Sequence, residues 1–262
     1  MSKLKQSIKN FTKYKNLLYE LVKKNIKLKY RRSYLGILWT LIEPLLTMIV
    51  LTFVFGTLLD RGNKEFPVYV LTGRLLYSFF QSATKAGLKS VSGNASMIKK
   101  VYVPKYIYVF SSVISNFVIF LISLIVLFGV SIVLDVKPTI YLLQAIIPLI
   151  ILFVMTLGIS LILATLSVFF RDMEYIWGVV TMLIMYACAI FYPVDKIITS
   201  GKGWVFDINP VYMCIANFRN TVLYGVPMNM QYFVVSSIIA VVLLAIGSVV
   251  FYKNQDKFIL YI

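Results

Sequence analysis

Two long stretches, residues 107–134 and 139–170, contain no Asp, Glu, Lys or Arg at all. A helix of about 20 apolar residues crosses the hydrocarbon core of a bilayer, and backbone placed there must satisfy its own hydrogen bonds. Each stretch exceeds that length, so each reads as a membrane span. The rest of the chain agrees. Hydrophobic residues make up 60% of the 262 and charged residues 14%, against about half and a quarter in soluble domains. The ten-residue alternation of a membrane β-barrel is missing. The expected fold class is an all-α polytopic membrane protein.

Six spans are expected, at roughly 34–59, 66–89, 107–134, 139–170, 175–194 and 230–252. The first apolar run follows a basic stretch of over 30 residues and is too long for the apolar region of a cleaved leader. Ahead of it, Phe11, Tyr14, Leu18, Leu21, Val22 and Ile26 recur at helical spacing, with Lys13, Lys23, Lys24 and Lys27 opposite. That pattern predicts a basic amphipathic helix in the membrane interface. A soluble helix docked on a partner has the same pattern, but a span beginning about six residues later favours the interface. Span four, at 32 residues, would be about 48 Å long. It must tilt, kink at Pro148 or project beyond the bilayer.

Residues 195–229 are too polar to span. Asn209-Pro210 offers a helix N-cap and a first-turn proline, and Val211, Ile215, Phe218 and Val222 then share one face. An external amphipathic or re-entrant segment between spans five and six is the reading. The organisation is then a cytoplasmic interfacial helix (1–33), a six-span domain (34–252) and a cytoplasmic tail (253–262). The internal repeat of many secondary transporters is not found.

A net charge of +16 would suit nucleic acid, yet the cations flank apolar runs, where they mark the cytoplasmic face and meet anionic lipid. No nucleic-acid partner is expected. Nineteen Lys and Arg lie in residues 1–33, 85–105, 171–174 and 253–262, six in 60–65, 135–138 and 195–229, and Arg74 lies inside span two. Both termini are therefore expected in the cytoplasm. The absence of histidine removes Ser-His-Asp and Cys-His catalysis and any histidine proton relay. The two cysteines, Cys188 and Cys214, suggest neither a disulfide framework nor a metal site.

The stretch "KYRRSYLGILWTLIEPLLTMIV", residues 29–50, sets Glu43 beside Pro44 within span one. Glu43 and Arg74 are the charges deepest in apolar sequence, where an unpaired charge costs several kcal/mol. They could form an ion pair or face a water-filled path. Alternatively residues 29–43 lie obliquely in the interface and Glu43 meets Arg31 or Arg32. With Pro44, Glu43 reads as a bend in a channel-facing helix. Aromatic residues, 15% of the chain, include Trp39, Phe53, Phe55, Tyr77, Phe79, Phe80, Tyr186, Phe191 and Tyr192 in spans one, two and five. Sugar rings stack on such faces, and aromatics equally belt the interface and fill helix packing.

The interfacial helix is followed in order by "YLGILWTLIEPL", "VLTGRLLYSFF", "NASMIKKVYVPKY", "VFFRDMEYIWGVV", "FYPV" and "INPVYMCIANFRNTVLYG". This order resembles the membrane subunit of type-2 ABC exporters for polysaccharides and polyol phosphates, which move O-antigen, teichoic acid or capsular glycans. The resemblance runs from about Leu17 to Lys257. It implies a homodimer of six-span subunits joined to two copies of a separate ATPase that binds ATP and Mg. The chain has no GxxxxGK[ST], a gap the resemblance accounts for: it implies a transport subunit, with no enzyme activity or cofactor expected on this chain and ATP hydrolysis on the partner.

The resemblance also implies that a lipid-linked polymer moves from the cytoplasmic to the outer side of a bacterial plasma membrane. It assigns the ATPase-coupling contact to Met97, Ile98, Lys99, Lys100, Val101 and Tyr102. A loop that only sets topology would show the same lysines, but need not display apolar side chains. A substrate pathway is expected at Trp39, Glu43, Phe53, Arg74, Tyr77, Phe80, Tyr186 and Tyr192. Arg171, Asp172 and Glu174 complement the dipoles of the helices they flank, which is a structural account. Alternatives are a type-2 ABC exporter of a drug or small lipid, and a proton-coupled flippase, for which Glu43 is thin support. A membrane-embedded transferase would need paired carboxylates or a histidine.

Overall fold

The computed structural model describes residues 14–31, 33–58, 65–101, 103–192, 194, 201 and 203–261. Every regular element among them is helical. Helix α1 (Lys15–Tyr30) leads through a 3-10 turn at Gly36–Leu38 into α2 (Trp39–Leu58). Then come α3 (Phe66–Lys89), the short α4 (Ala95–Lys100) and α5 (Tyr106–Val133). A 3-10 segment, Ile140–Ala145, opens α6 (Ile146–Phe169), followed by α7 (Met173–Tyr186). The chain closes with α8 (Trp204–Ile208), α9 (Pro210–Val222), α10 (Met230–Asn254) and the turn α11 (Phe258–Tyr261).

Among the described residues, four stretches are long and apolar enough to cross a bilayer: Gly36–Gly56, Tyr106–Val133, Ile140–Phe169 and Met230–Tyr261. They correspond to expected spans one, three, four and six. Helix α3, with 24 residues and a length of about 36 Å, is long enough but carries Arg74, Lys85 and Lys89. Its position explains this composition. It packs against α5 and α6 and also touches α2, α7 and α9, so much of its surface meets protein instead of lipid. Span four needs no kink at Pro148: its first six residues wind as a 3-10 segment. Pro148 then falls in the first turn of α6, where a missing N–H is tolerated.

The expected fifth span, 175–194, is shorter than its sequence suggests. Helix α7 stops at Tyr186 after 14 residues, and residues 187–192 leave the helix. Their freed carbonyls are taken up by side chains of α3 and α9, as described below.

Helix α6 sits at the centre through close backbone contacts. A Cβ added at Gly247 would lie 2.4 Å from the Gly158 carbonyl oxygen, and one at Gly158 would lie 2.5 Å from the Leu244 nitrogen. So α6 and α10 meet backbone to backbone, the way membrane helices gain packing energy where lipid offers no hydrophobic contrast. Gly87 does the same for α3, since a Cβ there would be 2.5 Å from the Ser160 Cβ.

The bundle has two distinct ends. At one, Leu21 of α1, Val91, Ile98 of α4, Ile107, Phe251 and Phe258 share a buried apolar cluster. The amphipathic helix α1 thus lays its apolar side on its own chain, chiefly on α5, and exposes Lys23, Lys24 and Lys27. Lys89 and Glu174 form an ion pair of 2.5 Å at the same end. At the other end, Thr139 abuts Gly225 and the Met228 N–H donates to Gln144 Oε1 at 3.3 Å. The Tyr232 hydroxyl there donates to Asp207 at 3.1 Å. The cation-rich segments therefore share one end, and the described parts of the cation-poor segments share the other.

Candidate functional site

Polar side chains recur at helical spacing on three neighbouring helices and face one another. On α3 they are Arg74, Ser78, Gln81 and Ser82; on α2, Thr40, Glu43 and Thr47; on α5, Asn116 and Ser123. With Lys29 and Tyr30 from the end of α1, they line a cleft of about 220 Å³. Glu43 and Arg74 stand in this one cleft yet form no ion pair, the Lys89–Glu174 contact being the ion pair among the described residues. Glu43 also lies near Lys29 and Tyr30 at the end of α1. Arg31 makes no ion pair with another described residue, and Arg32 lies outside the described residues.

Pro44 has a role in shaping this wall. It has no N–H to give the carbonyl one turn back, that of Thr40, and α2 continues through it. The Thr40 carbonyl accepts instead from the Ser123 hydroxyl of α5 at 3.0 Å. A freed backbone acceptor between apolar helices is satisfied by a neighbour, as it must be, and α2 is fastened to α5 at the cleft. Thr40 donates to the Ile37 carbonyl at 2.7 Å and Asn116 to that of Ser112 at 2.8 Å.

The expected pathway residues do not form one lining within a single chain. Glu43 and Arg74 face the cleft. Trp39, Phe53 and Tyr186 are exposed on the outer surface. Tyr77 and Phe80 are fully buried; Tyr77 donates to the Thr181 carbonyl and Phe80 packs near Trp177 with ring centroids 6.3 Å apart. Tyr192 is partly buried and its hydroxyl donates to the Tyr186 carbonyl. Of the expected coupling residues, Met97, Lys99, Lys100 and Val101 are exposed and Ile98 is turned into the chain's own core. Tyr102 lies outside the described residues.

A second polar centre closes the break after α7. Arg219, on α9, is 3% exposed, and its Nη1 and Nη2 donate to the carbonyls of Ala189 and Tyr69, both at 3.0 Å. Its guanidinium carbon lies 3.5 Å from the Tyr69 ring centroid. Ala189 adopts a left-handed backbone, φ 45, which turns the chain out of the helix, and its carbonyl also receives the Tyr69 hydroxyl at 2.8 Å. Asn209 caps α9 by accepting from the Val211 and Tyr212 N–H groups, and its amide donates to the Ala187 carbonyl at 3.1 Å. Gly73 makes room, because a Cβ there would lie 2.4 Å from Arg219 Nη2. Sequence reasoning placed Arg219 among the topology cations. The signal was present: it sits four residues after Ile215 and three before Val222, on the apolar face of its helix.

These features define a polytopic helical membrane protein whose apolar helices enclose a charged cleft. The ABC-2 type transporter family matches residues 16–223, and the chain belongs to that family. It is 29% identical over 245 residues to the O-antigen export system permease protein RfbA of Klebsiella pneumoniae, covering 93% of each chain. It is 25% identical over 252 residues to the protein of the same name from Myxococcus xanthus, covering 96% of this chain and 97% of the relative. A more distant relative is the polysialic acid transport protein KpsM of Escherichia coli, 19% identical over 206 residues, 77% of this chain and 79% of that one.

Proposed function

We propose that this chain is the membrane subunit of an ATP-driven exporter that carries a lipid-linked polysaccharide across a bacterial plasma membrane. The observation that carries the reading is the match to O-antigen export permeases along nearly the whole of both chains. Six spans per subunit, both termini in the cytoplasm and a homodimer bound to two ATPase subunits complete it, with ATP and Mg held by the partner. The described helices support this layout. The strongly apolar outer faces of α2 and α7, with exposed Leu46, Ile49, Phe53, Val179 and Leu183, suit contact with lipid or a second copy. The polar cleft gives a charged substrate a place beside apolar helices.

Depletion of this gene in its host is the test. A lipid-linked glycan should accumulate inside the cell, identified by mass spectrometry of extracted glycolipids, while surface polymer falls. An unchanged surface polymer with no internal accumulation overturns the reading.

A further inference from the structure

We propose that the cleft between α1, α2, α3 and α5 binds a phosphate-bearing lipid headgroup through Arg74 and Lys29, with Glu43 as the counter-charge that the phosphate displaces. The inference rests on the proposed export reading only for which lipid is carried.

The balance of charge identifies the ligand class. Thr40, Asn116 and Ser123 spend their donors on backbone carbonyls. The side chains of Lys29, Thr47, Arg74, Ser78, Gln81 and Ser82 line the cleft and donate to no other described residue. Thr47, Ser78, Gln81 and Ser82 accept as well as donate, whereas Lys29 and Arg74 have donors only and outnumber Glu43, the single carboxylate in the wall. An ionised phosphate has acceptors only and takes charge-assisted bonds from two such cations, with the hydroxyl and amide groups donating beside them. A neutral sugar hydroxyl makes no use of that excess of positive charge.

Glu43 stands close enough to act on Lys29 electrostatically but makes no ion pair with Lys29 or Arg74. A cation such as Arg74 facing a cleft between apolar helices is costly without a counter-charge, and the nearby carboxylate offsets that cost. The same carboxylate opposes an incoming phosphate, which keeps binding weak enough for release. The headgroup belongs to a lipid because α2 changes character around its girth. Its cleft face presents Glu43 and Thr47, and its outer face exposes Leu45, Leu46, Ile49, Val50 and Phe53. A tail can lie on the outer face while the phosphate turns inward.

Purified chain in complex with its ATPase is titrated with a polyprenyl monophosphate, the matching polyprenol and inorganic phosphate, and bound lipid is counted by native mass spectrometry. The polyprenyl phosphate should bind, the polyprenol at least tenfold more weakly, and inorganic phosphate should compete only at far higher concentration. Arg74→Gln should weaken polyprenyl phosphate about tenfold or more, the loss of a charged hydrogen bond, and leave polyprenol unchanged. Glu43→Gln should tighten it several-fold, an effect that a merely structural carboxylate does not produce. If Arg74→Gln does not assemble, Arg74→Lys and Glu43→Gln decide. Equal binding of polyprenol, inorganic phosphate competing as well as the lipid, or weaker binding in Glu43→Gln overturns the proposal. Retained binding with export lost in Arg74→Gln removes the site and leaves the transport reading intact. Arg74-dependent binding with no effect of gene depletion on polymer does the reverse.

Discussion

Arg219 carries its charge into a place from which water is excluded and finds no carboxylate there among the described residues. What holds it is backbone: two carbonyls exposed by the end of α7 and the early turns of α3, plus the face of Tyr69. Truncation should therefore cost much more than a surface arginine would. Arg219→Ala removes two buried charge-assisted hydrogen bonds to carbonyls that keep only the weaker hydroxyl donors of Tyr69 and Thr72, a loss on the order of 3 kcal/mol, which should lower Tm of the detergent-purified protein by roughly 6–12 °C. Arg219→Lys should fall between, since an ammonium cannot reproduce the planar fork. Melting of Arg219→Ala at the parent temperature would show that the arginine is dispensable to the break after α7. Little of this was legible beforehand. A cation in a polar segment looks like a topology signal, and only its place on the apolar side of α9 hinted otherwise. Glu43 was legible as anomalous because a carboxylate inside an apolar run has few bland explanations. The use of Pro44, which frees the Thr40 carbonyl for Ser123, depends on a contact 83 positions away and has no local signature.

At the scale of elements, composition located the long apolar helices. A bilayer span needs about 20 largely apolar residues, so α2, α5, α6 and α10 announce themselves by length and hydropathy. Helix α3 does not, because its neighbours are protein, and its polar stripe at 74, 78, 81 and 82 becomes meaningful only when α2 and α5 supply matching stripes. The end of α7 was missed for a related reason: residues 187–192 remain apolar, and their departure from helix is set by distant donors. The short α4 shows how an element can divide its labour. Ile98 points into the buried cluster and Met97 and Val101 point out, so the two outward apolar residues are the candidates for contact with an ATPase. Met97→Asp or Val101→Asp should reduce the ATPase recovered with the chain about tenfold or more, as for a central interface anchor. Lys99→Ala, a rim charge, should do much less. Ile98→Asp should instead lower yield and Tm of the chain by itself. Intact complex and normal export in both Met97→Asp and Val101→Asp would place the coupling contact elsewhere.

For the whole molecule, the distribution of charge and the packing converge on one axis. The segments that hold nineteen of the Lys and Arg residues meet at one end through the cluster of Leu21, Ile98, Phe251 and Phe258. Lys137, Gln144, Asp207 and the start of α10 meet at the other. The cation excess predicts that the first of these ends is cytoplasmic, because positively charged loops resist translocation. Accessibility to an impermeant thiol reagent measures this directly, and the protein is well suited to it: Cys188 and Cys214 are both buried and contribute little background. Lys137→Cys and Lys257→Cys, each introduced singly at an exposed position, should behave oppositely in spheroplasts. The first should react from outside, and the second only after the membrane is permeabilised. Reaction of Lys257→Cys in sealed spheroplasts would invert the chain, put α4 beyond reach of any cytoplasmic ATPase and turn the mouth of the polar cleft away from the leaflet in which a lipid-linked polymer is made.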